Sequence, residues 1–467
     1  MTAHANLAAR LESLIDSSRI VSDPTACAEY AVDEMQPAAI ARPASAEEAA
    51  EIVRFAALEN VALIPCGNRT KLAIGMPPAH YDLALDMTGL NQIAHYDPGD
   101  LTLSVDAGTN FNEFAVPLYN QKQFLPLAVP FYFESTIGGI IGSGVDSGLR
   151  HSYGTARDFL IGAEFIDGTG KLCKSGGRVV KNVTGYDLHK LLIGSLGTLA
   201  VITRLNFRTF PAAPASRGFV ASFRNAEDAL VLQKMVLDSP LSPASIELLS
   251  PQLMQQFLDA EKNSPEPPAA PLAGRVPANS WHLCLSVEGT PEVCERCAHD
   301  LKHLVVQLTA KNPQFTDLVE NEAADFWHYI GQAIPLLLEA SPAAAIFKIV
   351  ELPAPLGPLF TQLSTIAEQS ALPHCLMARA CGVVYFALLP AANDADSLRR
   401  LIEATSDIFH LCAREGASST ILWCPVELKR AINIWGPALR DANLMRRLKF
   451  AFDPQNIFAP GRLLGSI

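Results

Sequence analysis

Nowhere in this chain of 467 residues is there a run of the roughly 18 consecutive apolar residues that a membrane-spanning helix requires, so no direct membrane span is expected. Basic residues are in the minority. The 36 Lys and Arg against 48 Asp and Glu give a formal charge of −12, which argues against a broad nucleic-acid surface and makes any phosphate site a local one. Cysteine is present but unorganised: only Cys294 and Cys297 form a CxxC, with no second CxxC beside it, which argues against a disulfide scaffold and a cluster site. The apolar spacing of PEVCERCAHDLKHLV is helical, so both sulfurs are expected on a core face, with a metal or redox pair as the alternative. The N-terminal MTAHANLAARLESLIDSS carries Glu12 and Asp16 where a signal peptide would be continuously apolar, and it reads as an amphipathic helix. A cytoplasmic protein, associated with a membrane only through partners, is the expectation. With charged residues at 18% and hydrophobic ones at 49%, the chain is globular rather than disordered.

What the chain does have is glycine in ordered blocks. TIGGIIGSGVDSG (Thr136 to Gly148), YGTARDFLIG (Tyr153 to Gly162) and KNVTGYDLHKLLIGSLGTLAVIT (Lys181 to Thr203) follow one another. Gly138, Gly139, Gly142, Gly144 and Gly148 lack a Cβ, so the backbone there can approach a bound anion closely. Upstream, the apolar strand VALIP runs into IPCGNRTK (Ile64 to Lys71). There Gly67 permits a tight turn, Asn68, Thr70 and the backbone N–H groups can donate to phosphate oxygens, and Arg69 or Lys71 can add charge. Taken alone, this loop is explained by an ordinary strand-to-turn connection with solvated Arg and Lys. Paired with the second loop, it reads as half of a dinucleotide cradle.

The order of these blocks resembles the FAD-binding module of the vanillyl-alcohol oxidase (PCMH-type) flavoproteins, and within them the FAD-binding accessory subunits of bacterial glycolate oxidases. The likeness runs from about Ala46 to Pro211 and returns at FDPQNIFAPGR (Phe452 to Arg462). It implies FAD held by a first loop of Cys66, Gly67, Asn68, Arg69, Thr70 and Lys71, and by a second loop of Ser135, Thr136, Ile137, Gly138, Gly139, Gly142 and Ser143. Arg157-Asp158 resembles the family's Arg-Asp segment, which implies a structural or flavin-edge role for Asp158. Gly197 and the backbone of Val201 and Ile202 match the strand that reads the flavin. Relatives with covalent flavin often attach it through a histidine in the first-loop region. This loop has none, so FAD is expected to be non-covalent. Family members usually end on Asn-Pro-Gly, whereas this chain has Ala459-Pro460-Gly461 and loses any contact by the Asn side chain.

The resemblance implies an α+β protein: a PCMH-type FAD-binding module of two α/β subdomains, plus an α+β cap domain with an antiparallel sheet. The expected division is an N-terminal helical extension over 1–40, the FAD-binding domain over 41–212, a cap or substrate domain over 213–425, and a C-terminal segment over 426–467 returning to the FAD module. Local signals agree. Ser45 and Glu48 form a capping box ahead of AAEIVRFAALEN, and PAAPASR (Pro211 to Arg217) is a polar break. Beyond it FVASF, WHLCLSVEG, FKIVELPA, VVYFALLP and TILWCP alternate with helical stretches, the pattern of an antiparallel sheet covered on one face.

The catalytic 2-hydroxy-acid dehydrogenases of the class carry a glycine-rich, twin-histidine strand and a second His-Gly motif. The regions where those would lie read RACGVVYFALL (Arg379 to Leu389) and REGASSTILW (Arg414 to Trp423), with neither motif. That departure matches the accessory subunits. His151, His374 and Arg379 are candidates for catalysis or substrate contact, with packing or surface roles as the alternative for each. The resemblance implies an FAD-binding oxidoreductase subunit of a glycolate-oxidase-type complex, carrying electrons from oxidation of a 2-hydroxy acid beside a catalytic flavoprotein and an iron–sulfur subunit. A stand-alone FAD-dependent dehydrogenase and a non-catalytic scaffold are the alternatives. No resident metal is expected.

Overall fold

The computed structural model describes residues 7–179, 185–264, 271–308, 313–319, 321–351, 356–437 and 441–464, so Lys181 to Thr184 of the third glycine-containing block lie outside the described residues. The helix Ala46–Glu59 starts where its sequence dictates: Ser45 accepts from the Glu48 N–H, and Ala49, Ile52, Val53 and Ala56 are buried. Asn60, in the left-handed region at φ 55°, ends it and turns the chain into a sheet.

That sheet contains β1 (Ile20–Val21), β2 (Ala39–Ala41), β3 (Leu63–Cys66) and β4 (Leu83–Asp86) in the order β1-β2-β4-β3, with β2 and β3 parallel to β4. The N-terminal segment, expected as a helical extension, is thus partly strand. Its short helices Leu7–Leu11 and Pro24–Ala28 are joined by β1 and β2, which pair with each other and cover the β4 edge that would otherwise be left unpaired.

A second sheet takes β5 (Ile93–Asp97), β6 (Thr102–Asp106), β8 (Leu160–Ile166), β9 (Leu172–Gly176) and β10 (Val201–Arg208) in the order β5-β6-β10-β8-β9, all antiparallel. A two-stranded ribbon of β7 (Gln123–Phe124) and β11 (Phe210–Pro211) lies beside it. The helix Ile137–Ser143 packs on β10 through buried Ile137, Ile140 and Ile141.

The third sheet has eight strands, β12 (Ala215–Phe223), β13 (Ser245–Leu249), β14 (Trp281–Gly289), β15 (Gln314–Val319), β16 (Ala345–Val350), β17 (His374–Arg379), β18 (Val383–Leu388) and β19 (Ser418–Trp423). Their order is β15-β12-β14-β13-β17-β18-β16-β19, every pairing antiparallel. Coverage on one face was expected, and the structure covers both. Phe219, Leu248, Leu283 and Phe347 join one core cluster with the helices Pro291–Gln307 and Leu356–Gln369, whereas Val220, Cys284, Ile346, Met377 and Tyr385 join another that includes Ile74 and Val145 of the FAD module. β13, β17 and β18 are accordingly buried at every residue, the mark of a strand packed on both faces. Cys294 and Cys297 are buried in the first cluster.

After the helix Ala442–Phe452 the chain returns to β3, where Leu63 donates to Ile457 O and Ala459 donates to Leu63 O, both at 2.8 Å. No helix among the described residues is long and apolar enough to cross a membrane.

Candidate functional site

The turn after β3 and the entry to the helix Ile137–Ser143 meet edge to edge. A Cβ on Gly67 would lie 2.1 Å from Thr136 Oγ1, so only glycine allows the approach. Asn68 Nδ2 donates to Glu134 O at 2.7 Å, Thr70 Oγ1 is 3.1 Å from Ser135 Oγ, and Lys71 Nζ donates to Ser135 Oγ and, at 3.2 Å, to Thr70 Oγ1. Thr136 caps its helix by accepting from the Gly139 N–H.

Between the loops lies a cleft of about 760 Å³, open to solvent. Of the residues picked out from the sequence, Cys66, Gly67, Asn68, Arg69, Thr70, Lys71, Thr136, Gly138, Gly139, Gly142, Ser143, Gly197 and Ile202 line it. Ser135, Ile137 and Val201 stand behind it, fully buried. Asp158 does not line it: its carboxylate accepts from the Thr155 N–H at 2.7 Å and caps the helix Ala156–Phe159, the structural one of the two roles expected for it.

Two cations were open candidates for phosphate, and the structure separates them. Arg69 stacks over Tyr30 at 4.3 Å and pairs with Glu29 at 3.6 Å. Lys71 is 8% exposed, and burial pushes its ammonium down to about 7, an effect the charge of Glu134 only partly offsets. Its contacts are two hydroxyls and the Phe131 ring, 5.7 Å from the ammonium to the centroid.

These residues fit FAD. Gly142 lines the cleft, and a Cβ there would meet nothing within 4 Å, so a missing side chain keeps this stretch clear. Among the described residues, no backbone carbonyl accepts from the N–H groups of Asn68, Arg69, Thr70 and Lys71. A diphosphate would supply their acceptors together with the counter-charge that Lys71 lacks.

Sequence reasoning missed Arg462. It lines the cleft at 2% exposure, and its Nη2 donates to Leu72 O and Ile74 O, each at 2.5 Å, tying the far end of the first loop to the C-terminal turn. Burial lowers its pKa, and its Nε has no partner among the described residues. Its place in FAPGR, next to the turn residues already singled out, was the available signal. Ala459 in that turn adopts φ 42°, a left-handed conformation that Asn tolerates better than Ala. The backbone shape usual for Asn survives without its amide.

A second cleft, of about 890 Å³, lies between the FAD module and the eight-stranded sheet. Asp146, Gly148 and Leu149 line it from one side, and Trp327, Met377, Arg379 and Tyr385 from the other. Arg379, at the end of β17, donates through Nε to Glu247 Oε1 at 3.1 Å and through Nη1 to Asp146 Oδ1. Tyr385 OH donates to the same Asp146 oxygen at 3.0 Å, Arg150 pairs with Asp146, and Lys348 Nζ is 3.6 Å from it. Burial would raise the Asp146 carboxyl, but Arg379, Lys348 and Arg150 hold it well below the usual carboxylate range. Fully buried Glu247 is pushed up to about 7 by desolvation against the pull of Arg379, and its Oε2 has no partner among the described residues. Burial and the Asp146 charge raise the Tyr385 phenol.

Of the three side chains considered for chemistry, only Arg379 is in this cleft. His374 is bonded to Ser364 at 3.1 Å and packs on Phe386, while His151, on the short helix Arg150–Tyr153, lines neither cleft. Burial lowers the pKa of both imidazoles. No group of three or more His, Cys, Asp or Glu among the described residues is placed to hold a metal ion.

Comparison with known proteins meets this geometry. The model of the FAD binding domain matches residues 37–176, and that of the C-terminal domain of FAD linked oxidases matches residues 437–463, the two parts that frame the first cleft. The chain is an FAD-linked oxidoreductase. This FAD-linked oxidoreductase is 24% identical over 450 residues to the glycolate oxidase subunit GlcD of Bacillus subtilis, covering 96% of this chain and 93% of that one. It is 35% identical over 167 residues to the Escherichia coli subunit GlcE, covering 36% of this chain and 47% of that one. Among solved structures, p-cresol methylhydroxylase with substrate bound superposes with a TM-score of 0.78 at 15% identity, covering 99% of this chain and 97% of that one, which establishes the PCMH-type fold. FAD is the cofactor.

Proposed function

We propose that this FAD-linked oxidoreductase oxidises a 2-hydroxy acid as a subunit of a glycolate-oxidase-type complex, beside a catalytic flavoprotein and an iron–sulfur subunit. The observation that carries the reading is Arg379, a buried guanidinium that lines the second cleft together with the Tyr385 hydroxyl; Arg150 and Lys348 pair with Asp146 from outside that lining, and Glu288 adds a carboxylate to it. A guanidinium at the wall of a cleft can pair with the carboxylate of a substrate. Bound FAD supplies the acceptor for the two electrons that leave the hydroxyl-bearing carbon as the acid becomes a 2-oxo acid.

One observation favours a chain that acts alone. The match to GlcD spans nearly the whole of both chains.

The test is to purify the chain with FAD and add lactate or glycolate without oxygen. Bleaching of the flavin band supports 2-hydroxy-acid oxidation without partners. Bleaching only when a co-expressed flavoprotein and iron–sulfur subunit co-purify supports the complex. No bleaching under either condition, with FAD bound, removes the reading. Acid precipitation should leave the yellow colour in the supernatant, because FAD is held non-covalently.

A further inference from the structure

Beside the second cleft runs a groove of about 1420 Å³ that neither FAD nor a small hydroxy acid explains. Its walls are apolar and in part open to water: Val116 is 61% exposed, Tyr119 77% and Phe133 45%, and Phe124 and Tyr132 extend the lining. The groove and the cleft adjoin: Ala128, Leu149, Ala324, Trp327 and Gly331 line both, with a waist at the helix Asn321–Gly331. Trp327 stands at this waist with its indole N–H buried and without an acceptor among the described residues. A buried donor without a partner costs roughly 1–3 kcal/mol unless something else accepts from it.

We propose that the substrate is a 2-hydroxy acid with a long apolar chain. Its carboxylate and hydroxyl sit in the cleft by Arg379 and Tyr385, the Trp327 N–H donates to one of their oxygens, and its tail passes Gly331 into the groove. The inference rests on the 2-hydroxy-acid reading of the cleft and adds the size and polarity of the remainder. A short acid such as glycolate fills only the cleft and leaves the groove's aromatic lining against water. Each methylene laid along that lining leaves water and should tighten binding roughly fourfold until the groove is full.

Gly331 gives a means of closing the waist without harming the fold. A Cβ there would meet only Ala128 O, at 3.8 Å, which is ordinary contact, so Gly331→Leu is expected to fold and to narrow the passage. The experiment compares anaerobic flavin bleaching by lactate, 2-hydroxyoctanoate and 2-hydroxydodecanoate in the FAD-loaded wild type and in G331L. The expected result is half-saturation at far lower concentration for the two longer acids than for lactate in the wild type, and loss of that ratio between long and short acids in G331L. If lactate is bound as well as the longer acids, or if G331L keeps the preference, the proposed tail site is wrong while the 2-hydroxy-acid reading stands. If none of the three acids bleaches the flavin, either in the chain alone or with the partner subunits co-purified, that earlier reading fails as well.

A binding measurement independent of turnover uses decanoate as probe. It should change the intrinsic fluorescence of the wild type but not that of Trp327→Phe, and absence of any change in the wild type overturns the proposal. Should the face instead be covered by a second copy of the chain, decanoate will have no effect on fluorescence and the sedimentation of the protein will depend on its concentration.

Discussion

Glu247 and Arg379 face each other directly across β13 and β17, Oε1 to Nε at 3.1 Å, while the other edge of the same guanidinium reaches Asp146 of the FAD module. The seam between cap and FAD module is therefore held by a line of charges as well as by apolar packing. Removing a charge from such a buried line costs more than the line itself contributes, because the partners are left unpaired.

Glu247 makes the seam sensitive to pH. Its folded-state pKa of about 7 lies above the ordinary 4.5, so the folded protein holds an extra proton between those values. The sign follows: this contribution is complete at acid pH and is lost as pH rises from about 4.5 through 7. Glu247→Gln keeps an oxygen for Arg379 and does not titrate. Melting curves at about pH 5 and pH 8 should show the variant gaining on the wild type at the higher pH. A constant difference would mean that Glu247 is ionised throughout.

Arg379→Met leaves Asp146 and Glu247 buried without their shared cation. A loss of about 3–5 kcal/mol in urea unfolding is expected. Loss of less than about 1 kcal/mol would show that water reaches the cluster.

Lys71 links FAD affinity to proton concentration. Its ammonium titrates near 7 in the cofactor-free cleft, and a diphosphate favours the charged form, so affinity for FAD should fall as pH rises above about 7. Lys71→Met should weaken FAD at least tenfold at pH 7 and remove this slope, both read by titrating the apoprotein with FAD. An unchanged slope in the variant would assign the proton to another group.

Gly142 and Gly138 separate cofactor loss from unfolding. A side chain at Gly142 enters open cleft, whereas one at Gly138 would come within 2.8 Å of Ala107. Gly142→Val should therefore melt near the wild-type temperature and purify colourless, while Gly138→Val should be destabilised outright. A yellow Gly142→Val would move the cofactor away from this cleft.

The two loops that line the first cleft stood out in the sequence because their signals are local: glycines, hydroxyls and amides within a few residues of a strand end. At Asp158 the sequence left two roles open, structural or at the flavin edge. Thr155-Ala-Arg-Asp158 is itself a capping-box spacing, and the cap governs where that carboxylate goes. Arg379 could be named only as a candidate, because its partner Asp146 is 233 positions away and sat in plain view as a spacer between glycines. The two-sided burial of the eight-stranded sheet escaped for a related reason. Apolar content in β13, β17 and β18 marks them as strands, but which protein surface covers the second face is settled only by how the modules pack.

Arg462 reaches back 390 positions to hold Leu72 O, and 388 to hold Ile74 O. During synthesis the turn after β3 therefore leaves the ribosome long before the group that fixes its far end exists. Capture of the flavin nucleotide belongs to the finished chain, and a nonsense codon just upstream of Arg462 would abolish colour without removing any residue of either glycine-rich loop.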